Sequence, residues 1–375
     1  MVVKRPVIIC ANPVFGDQGL SSTEEIAREL SKLRPVLFVN FPLTIQQLIS
    51  EKTRAKNVNK TTLVEGYEQL WVYEPPIMFP SNALRGFAYT FLSFLNNLRY
   101  YRGVRSAIHK RQWENVELVN AFNPMFSSAF FKLRASNRTY YCYDNIAASH
   151  WMKNHGSRLE AQMVPLVDRI IVSSQGLKEK FSHAAAPVVL IPNGMNSANF
   201  EVQEALPTGA IKIAYVGALD DRIDYGLLSQ ILELPLVSEF KIAGPIKCNE
   251  AKKISNHNKV SYLGIVPKAR VGEVLEDVNL GIIPFVKNDF TKYIYPLKIN
   301  EYLSKGLAVL STDFADLSDF KEYVRPVSGI REAEKELLRI LSEELIEEQK
   351  NRRHQFALKN TWANRANDFD SALDG

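Results

Sequence analysis

Lys298 and Glu301 are a cation and a carboxylate with the spacing to serve a nucleotide. They lie in Tyr295-Pro296-Leu297-Lys298-Ile299-Asn300-Glu301-Tyr302-Leu303-Ser304-Lys305-Gly306. Pro296 suits the first position of a helix and Gly306 suits its end. Residues three apart share one helix face. The backbone N–H groups at a helix start, joined by a lysine in the first turn, form a site for a pyrophosphate. A carboxylate one turn further along can accept two hydrogen bonds from a ribose diol. A surface ion pair on an amphipathic helix is the other reading, and these residues alone leave both open. Leu297, Ile299, Tyr302 and Leu303 are apolar enough to pack elsewhere.

Asp144 follows the apolar run Thr139–Tyr143 directly, in Tyr141-Cys142-Tyr143-Asp144-Asn145. A carboxylate at a strand end, partly desolvated so that its pKa rises, can take the proton from an attacking hydroxyl. A helix starting at Asn145 would instead make Asp144 a cap. The first loop, Asn12-Pro13-Val14-Phe15-Gly16-Asp17-Gln18-Gly19, has neither GxGxxG nor a Walker Lys-Ser/Thr. It therefore does not indicate a dinucleotide or ATP site.

Strands must position these groups. Apolar runs rich in Val, Ile and Tyr recur at Val7–Cys10, Val36–Asn40, Leu70–Tyr73, Val116–Asn120, Thr139–Tyr143, Ile170–Val172 and Val188–Ile191. A second series runs Ile211–Val216, Phe240–Ala243, Val260–Leu263, Leu280–Ile283 and Ala308–Ser311. Such runs fit buried parallel strands. Helix-like stretches lie between them, such as Ser22–Leu33, which opens with a cap and acids, and Gly176–Phe181. Two strand–helix series argue for an α/β chain with two Rossmann-like domains and right-handed crossovers. The polar stretch Ser197–Gly209 reads as their linker, and Glu332–Leu373 is helical by composition. Open parallel sheets bind ligands beyond the carboxyl ends of their strands, so two facing domains would form a cleft.

The segment from Pro296 to Gly306 continues into Leu307-Ala308-Val309-Leu310-Ser311-Thr312-Asp313 and is preceded by Leu280-Gly281-Ile282-Ile283-Pro284-Phe285. This resembles the donor-site segment of GT-B glycosyltransferases, close to the form found in bacterial polysaccharide enzymes. Further pieces resemble the same group in the same order. They are Ile170-Ile171-Val172-Ser173-Ser174, Ile191-Pro192-Asn193-Gly194, Tyr215-Val216-Gly217-Ala218-Leu219-Asp220-Asp221-Arg222, Ala243-Gly244-Pro245 and Tyr262-Leu263-Gly264. The ordered set spans roughly residues 165 to 315, and the first 160 residues match only loosely.

The resemblance implies an acceptor domain over 1–197, a donor domain over 198–355 and a helix over 356–375 that packs back on the first domain. It implies that Glu301 binds the ribose of a UDP- or GDP-sugar and that Lys298 contacts the phosphates. Gly217 would allow close approach of the diphosphate. Arg222 would add a phosphate contact, or pair with Asp220, Asp221 or Asp224. The base would lie near Gly264 and Ile265. Asp144 would be the catalytic base, with Gly16 and Asp17 on the acceptor side and Asp17 the lesser candidate. Many members carry a second Glu eight residues before the ribose Glu. Tyr293 stands there, which fits direct displacement with inversion better than retention.

The implied activity is metal-independent transfer of a hexose to a glycan or lipid-linked acceptor, with no cofactor beyond the nucleotide sugar. Two alternatives stand beside it: a nucleotide-sugar-binding module without catalysis, and a sugar-nucleotide epimerase, whose set of cleft carboxylates and His is not found. No metal ligand cluster is evident. His150 and His155 flank Trp151 off helical register and read as structural or solvent-exposed. Asp368-Phe369-Asp370 has the form of a metal motif of the other glycosyltransferase fold, but sits in the last helix and reads as a solvated face.

The 375 residues are 46% hydrophobic and 23% charged, an ordinary globular composition. Three cysteines outside any CxxC pair, Cys10, Cys142 and Cys248, argue against a disulfide framework and for a reducing, cytoplasmic setting. No apolar run is long enough to cross a membrane. Pro75–Trp113 contains no Asp or Glu but six cations interleaved with aromatics. Residues 79–113 therefore read either as a membrane-surface element on the inner face or as a helix pair of the first domain with a basic outer face. Without a recognition motif they do not indicate nucleic acid.

Overall fold

The computed structural model describes residues 4–17, 21–149, 152–196, 209–267, 270–320, 322–343 and 347–375. The expected linker lies almost wholly outside them, as do His150 and Trp151. The chain forms two compact units, Met1–Pro192 with Trp362–Gly375, and Asn193–Thr361.

The first unit holds an eight-stranded sheet of β1 (Val7–Ala11), β2 (Val36–Val39), β3 (Thr61–Leu63), β4 (Leu70–Tyr73), β5 (Glu117–Ala121), β6 (Asn137–Cys142), β7 (Arg169–Val172) and β8 (Val188–Leu190). Their order is β3-β4-β2-β1-β5-β6-β7-β8. Only the β3–β4 pair is antiparallel. The second unit holds β9 (Ile211–Val216), β10 (Val237–Ala243), β11 (Val260–Tyr262), β12 (Leu280–Ile283), β13 (Ala308–Thr312) and β14 (Val324–Val327). They are parallel throughout, in the order β11-β10-β9-β12-β13-β14. That is the doubly wound order, with the direction of winding reversing between β9 and β12. Every expected strand is present. Strands β1, β2, β5, β7 and β12 are buried along their whole length, and β1, β2 and β12 accordingly read as unbroken apolar runs.

Five helices matter below: α1 (Ser22–Leu30), α2 (Gly86–His109), α3 (Leu297–Ser304), α4 (Glu347–Leu358) and α5 (Trp362–Asp374). The Ser21 hydroxyl caps α1 by accepting the Glu24 N–H, and Glu24 and Glu25 occupy its first turn. Each unit has its own core, with Phe240, Tyr302 and Phe314 in the second and Tyr100, Phe126 and Phe130 in the first.

The division of the chain differs from the expected boundaries at 197 and 355. Residues 193–195 belong to the second unit because Met195 N–H donates to the Asn360 carbonyl. α4 belongs there too. Its Arg353 donates to the Gly306 carbonyl at 2.7 Å, and His354 bonds the Ser304 carbonyl. The Asn360 amide donates to Asn300 of α3.

The last helix, α5, corrects the reading of Asp368–Asp370 as a solvated face. Asp368 does lie at the surface beside Arg365. Phe369, however, is fully buried and meets the Tyr141 ring edge-on at 5.3 Å. The Asp370 carboxylate is buried and accepts from Arg34 Nε at 2.5 Å and from Lys4. Arg34 is itself fully buried and also donates to the half-exposed Asp374. Breaking one side of a buried ion pair leaves an uncompensated charge and costs about 3–5 kcal/mol. Asp370→Asn should lower stability by that order, whereas Asp374→Asn should cost about 1 kcal/mol or less. Urea unfolding of both variants checks this, and equal losses would remove Asp370 from its role as the anchor of α5.

Candidate functional site

The site in the second unit is built where three neighbouring strands end. Gly217, Gly244 and Gly264 follow β9, β10 and β11, with φ of +152°, +147° and +70°. The Gly217 N–H donates to the Ala243 carbonyl and the Gly244 N–H to the Gly264 carbonyl, both at 2.7 Å. The three ends are thus stitched side by side. A Cβ on Gly244 would stand 1.9 Å from the Gly217 carbonyl oxygen, so a backbone replaces a side chain there. Ile265, just beyond Gly264, is 76% exposed.

Lys298 lies directly against Gly217. A Cβ on Gly217 would meet its Cε at 2.4 Å and its Nζ at 2.7 Å. The ammonium also sits 5.6 Å from the Tyr215 ring centroid. Desolvation pushes the Lys298 pKa down, the Glu301 carboxylate opposes it, and the Arg222 charge adds to the lowering. Glu301, partly buried one turn along α3, is thus close enough for its charge to act on Lys298. Pro296 is the N-cap of α3 rather than its first helical residue, and no side chain caps that end. Its carbonyl accepts the Ile299 N–H. The amides at the start of α3 and the Lys298 ammonium therefore belong to one short stretch of chain.

Arg222 takes the pairing that the sequence had left open. Its Nε and Nη2 bind the two oxygens of Asp220 at 2.8 and 2.7 Å, and its guanidinium lies 5.6 Å from the Phe285 ring centroid. Burial alone would raise the Asp220 carboxyl. Arg222's hydrogen bonds and charge outweigh that and hold it below its ordinary value.

Tyr302 fixes this arrangement. β9 and β12 pair only through Ile213 with Leu280 and Ala214 with Gly281. Further along, the Val216 N–H donates to the Tyr302 hydroxyl at 3.0 Å. Gly281 makes room for the ring, since a Cβ there would stand 2.1 Å from it. The sequence reading gives Tyr302 a packing role only and Gly281 no role. Gly244 was visible in the Ala243-Gly244-Pro245 motif without a role. Tyr293 ends a short 3-10 turn, Thr291–Tyr293, with the Lys292 ammonium 5.1 Å from its ring.

In the first unit Asp144 stands one strand-end beyond Cys142, partly buried, and its carboxylate accepts the Asn145 N–H at 2.7 Å. Asn145 is the cap of the following turn, Ile146–Ala148, so the capping role falls to the neighbour. Gly16, at φ +79°, and Asp17 are exposed on the loop after β1. The Gly16 N–H donates to Glu24, which pairs with Arg28. His155 is structural, bonded to the Leu84 carbonyl and stacked on Tyr89. The three cysteines are free. Among the described residues no three His, Cys, Asp or Glu side chains gather as a metal site would need. Among them, too, no helix is long and apolar enough to cross a membrane.

No family model matches the chain. Solved structures match it over almost its whole length. Sucrose-phosphate synthase from Thermosynechococcus elongatus aligns with a TM-score of 0.70 at 13% identity, covering 99% of this chain and 98% of that one. A trehalose-6-phosphate structure from E. coli bound with UDP-2-fluoro glucose gives 0.68 at 10% identity, covering 99% of both. The fold is that of the GT-B glycosyltransferases. The catalytic domain of starch synthase IV from Arabidopsis thaliana, bound to ADP and acarbose, shares this GT-B fold with a TM-score of 0.64 at 10% identity, over 99% of this chain and 98% of that one. A curated Bacillus subtilis (strain 168) protein, TuaH, named as a teichuronic acid biosynthesis glycosyltransferase, is 22% identical over 48% of this chain. The match spans half the length of that relative.

The glycine stack gives a stability test of these strand ends. An added methyl at Gly217 meets the far end of a flexible lysine, whereas one at Gly244 meets backbone. Gly244→Ala should therefore lower the melting temperature several degrees more than Gly217→Ala. Similar shifts in thermal melts would mean that the strand ends relax freely.

Proposed function

We propose that this chain is a glycosyltransferase that moves a hexose from a nucleoside diphosphate sugar to a glycan or lipid-linked acceptor in cell-surface polysaccharide synthesis. The observation that carries this reading is the Lys298 ammonium held against Gly217 at the winding reversal, with Glu301 one turn further along α3. An anionic diphosphate there meets a cation, an uncapped helix start and a surface without side chains. Glu301 is then placed for the ribose diol. The bound nucleotides named for the E. coli and Arabidopsis structures support a nucleotide-sugar donor, and the name of the B. subtilis relative supports a polysaccharide product.

In this reading UDP or GDP is the carrier. Lys298 and the amides of α3 offset the charge that builds on the leaving diphosphate, so the transfer needs no divalent cation. Asp144 takes the proton from the attacking acceptor hydroxyl, and Gly16 and Asp17 line the acceptor side. Direct displacement inverts the anomeric centre. Residues 79–113 rest on the inner membrane surface: α2 exposes Phe87, Phe91 and Phe94 at 84%, 51% and 57%.

Calorimetry with UDP, GDP, TDP and ADP, with and without Mg²⁺, tests the donor site. One nucleotide should bind at micromolar Kd without metal, and Glu301→Ala should weaken it at least tenfold. No binding by any of the four to folded protein would sink the reading. Because only protonated Lys298 attracts the diphosphate, affinity should fall as pH rises through its pKa. That pKa is lowered in the free protein, so the fall should begin at a lower pH than an ordinary lysine would give. Lys298→Arg should abolish that dependence. Asp144→Asn should bind nucleotide normally yet lose at least a hundredfold in kcat. Full turnover in that variant would exclude Asp144 as the base.

A further inference from the structure

The C-terminal half of α2 forms one wall of a groove of about 850 Å³ in the first unit. Lys60, just before β3, lines it together with Arg99, Arg102, Lys110 and Arg111 of α2 and its end, and no carboxylate does. Among the described residues neither Lys60 nor Arg102 nor Lys110 pairs with an acid. Arg111 stacks 4.1 Å from the Trp71 centroid, its Nε buried without a partner, and burial lowers its pKa. Gly103 leaves the space into which Tyr73 and Pro76 fit: a Cβ there would stand 2.6 Å from the Tyr73 hydroxyl. Cations held on two sides of a concavity repel each other unless an anion lies between them.

Lys60 and Thr62 also line a neighbouring cavity of about 470 Å³, which reaches Gly16 and Asp17 on the loop after β1. Its buried acid, Glu74, pairs with Arg54 and accepts from Asn40, and the exposed acids Asp17 and Glu51 line it too. The two cavities lie on opposite faces of the β3–β4 edge and share Lys60 and Thr62 at its rim.

We propose that this groove holds an acceptor glycan carrying several negative charges along its length. The word acceptor rests on the transferase reading; the binding of an anionic glycan does not. Arg102 and Lys110 lie eight residues apart, roughly 12 Å along the helix at 1.5 Å per residue, so one charged group cannot satisfy both. The groove face of α2 is also turned roughly a third of a revolution from the face bearing Phe87, Phe91 and Phe94, at 100° per residue. A flat lipid surface meeting the aromatic face would not enter the groove.

The test is fluorescence anisotropy of the full chain with end-labelled oligogalacturonates of one, four and eight residues. Maltooctaose, an eight-nucleotide single-stranded DNA and phosphatidylglycerol vesicles are the comparison arms. The octamer should bind, tighten at least tenfold relative to the monomer, weaken as salt is raised, and exceed both maltooctaose and the DNA. Arg102→Ala with Lys110→Ala, both at exposed positions, should weaken it at least tenfold. Phe87→Ser with Phe91→Ser should leave it unchanged and reduce vesicle binding instead. Nucleotide affinity, measured alongside, should be the same in all variants. The proposal is overturned if the octamer binds no better than maltooctaose, if the DNA binds more tightly, or if the charge variant loses only vesicle binding. Loss of nucleotide binding with intact oligogalacturonate binding would remove the transferase reading and leave the groove.

Discussion

One hydrogen bond organises the strand ends of the second unit: the Val216 N–H into the Tyr302 hydroxyl. A doubly wound sheet must separate two neighbouring strands where its winding reverses, and separation strands backbone donors. Here a phenol reaches across Gly281 to take one of them. Burial pushes that phenol well above its ordinary pKa, so it stays neutral. The same side chain belongs to α3. Pinning it to β9 sets the register of the whole helix against the strand end, and the position of Lys298 on Gly217 follows from that register. An aromatic in an apolar helix stripe is thus a ruler for the charge one turn away.

The first unit has the same reversal, between β1 and β5, and closes it differently. Asn12 N–H donates to the Ala121 carbonyl, Asn123 Nδ2 donates to the Ala11 carbonyl, and Asn120 and Asn123 bond each other. Amide side chains stitch that reversal shut just beneath Phe122, which adopts φ +53°. The second unit leaves glycines at its strand ends where the first spends asparagines. Two sheets of similar order thereby present a bare backbone in one case and a polar, side-chain-covered edge in the other.

The strands were legible because parallel strands buried on both faces leave an unbroken apolar signature. β3 and β14 were missed for opposite reasons that share a cause: both are edge strands. β3 is Thr-Thr-Leu with little burial, and β14 contains Pro326, which an edge tolerates because one side needs no ladder donors. The pairing of Lys298 with a glycine was half visible, since the motif named both residues but not their contact. Arg222 with Asp220 was one of several equal options, because spacing alone cannot choose among three nearby acids. Asp370 was misread because an acid in a helix beside Asp368 and Ser371 looks solvated, and its partner Arg34 is remote in sequence. Ion pairs between distant positions carry no local signal.

That remoteness has a bearing on how the protein is made. The buried guanidinium of Arg34 and its carboxylate are 336 residues apart. When the first unit's sheet has emerged from the ribosome, the counter-charge for its interior does not yet exist. At about 5–20 residues per second, tens of seconds pass before it is synthesised. Until then the nascent first unit must leave Arg34 in water and the α1 face uncovered, the state in which a chaperone would meet it.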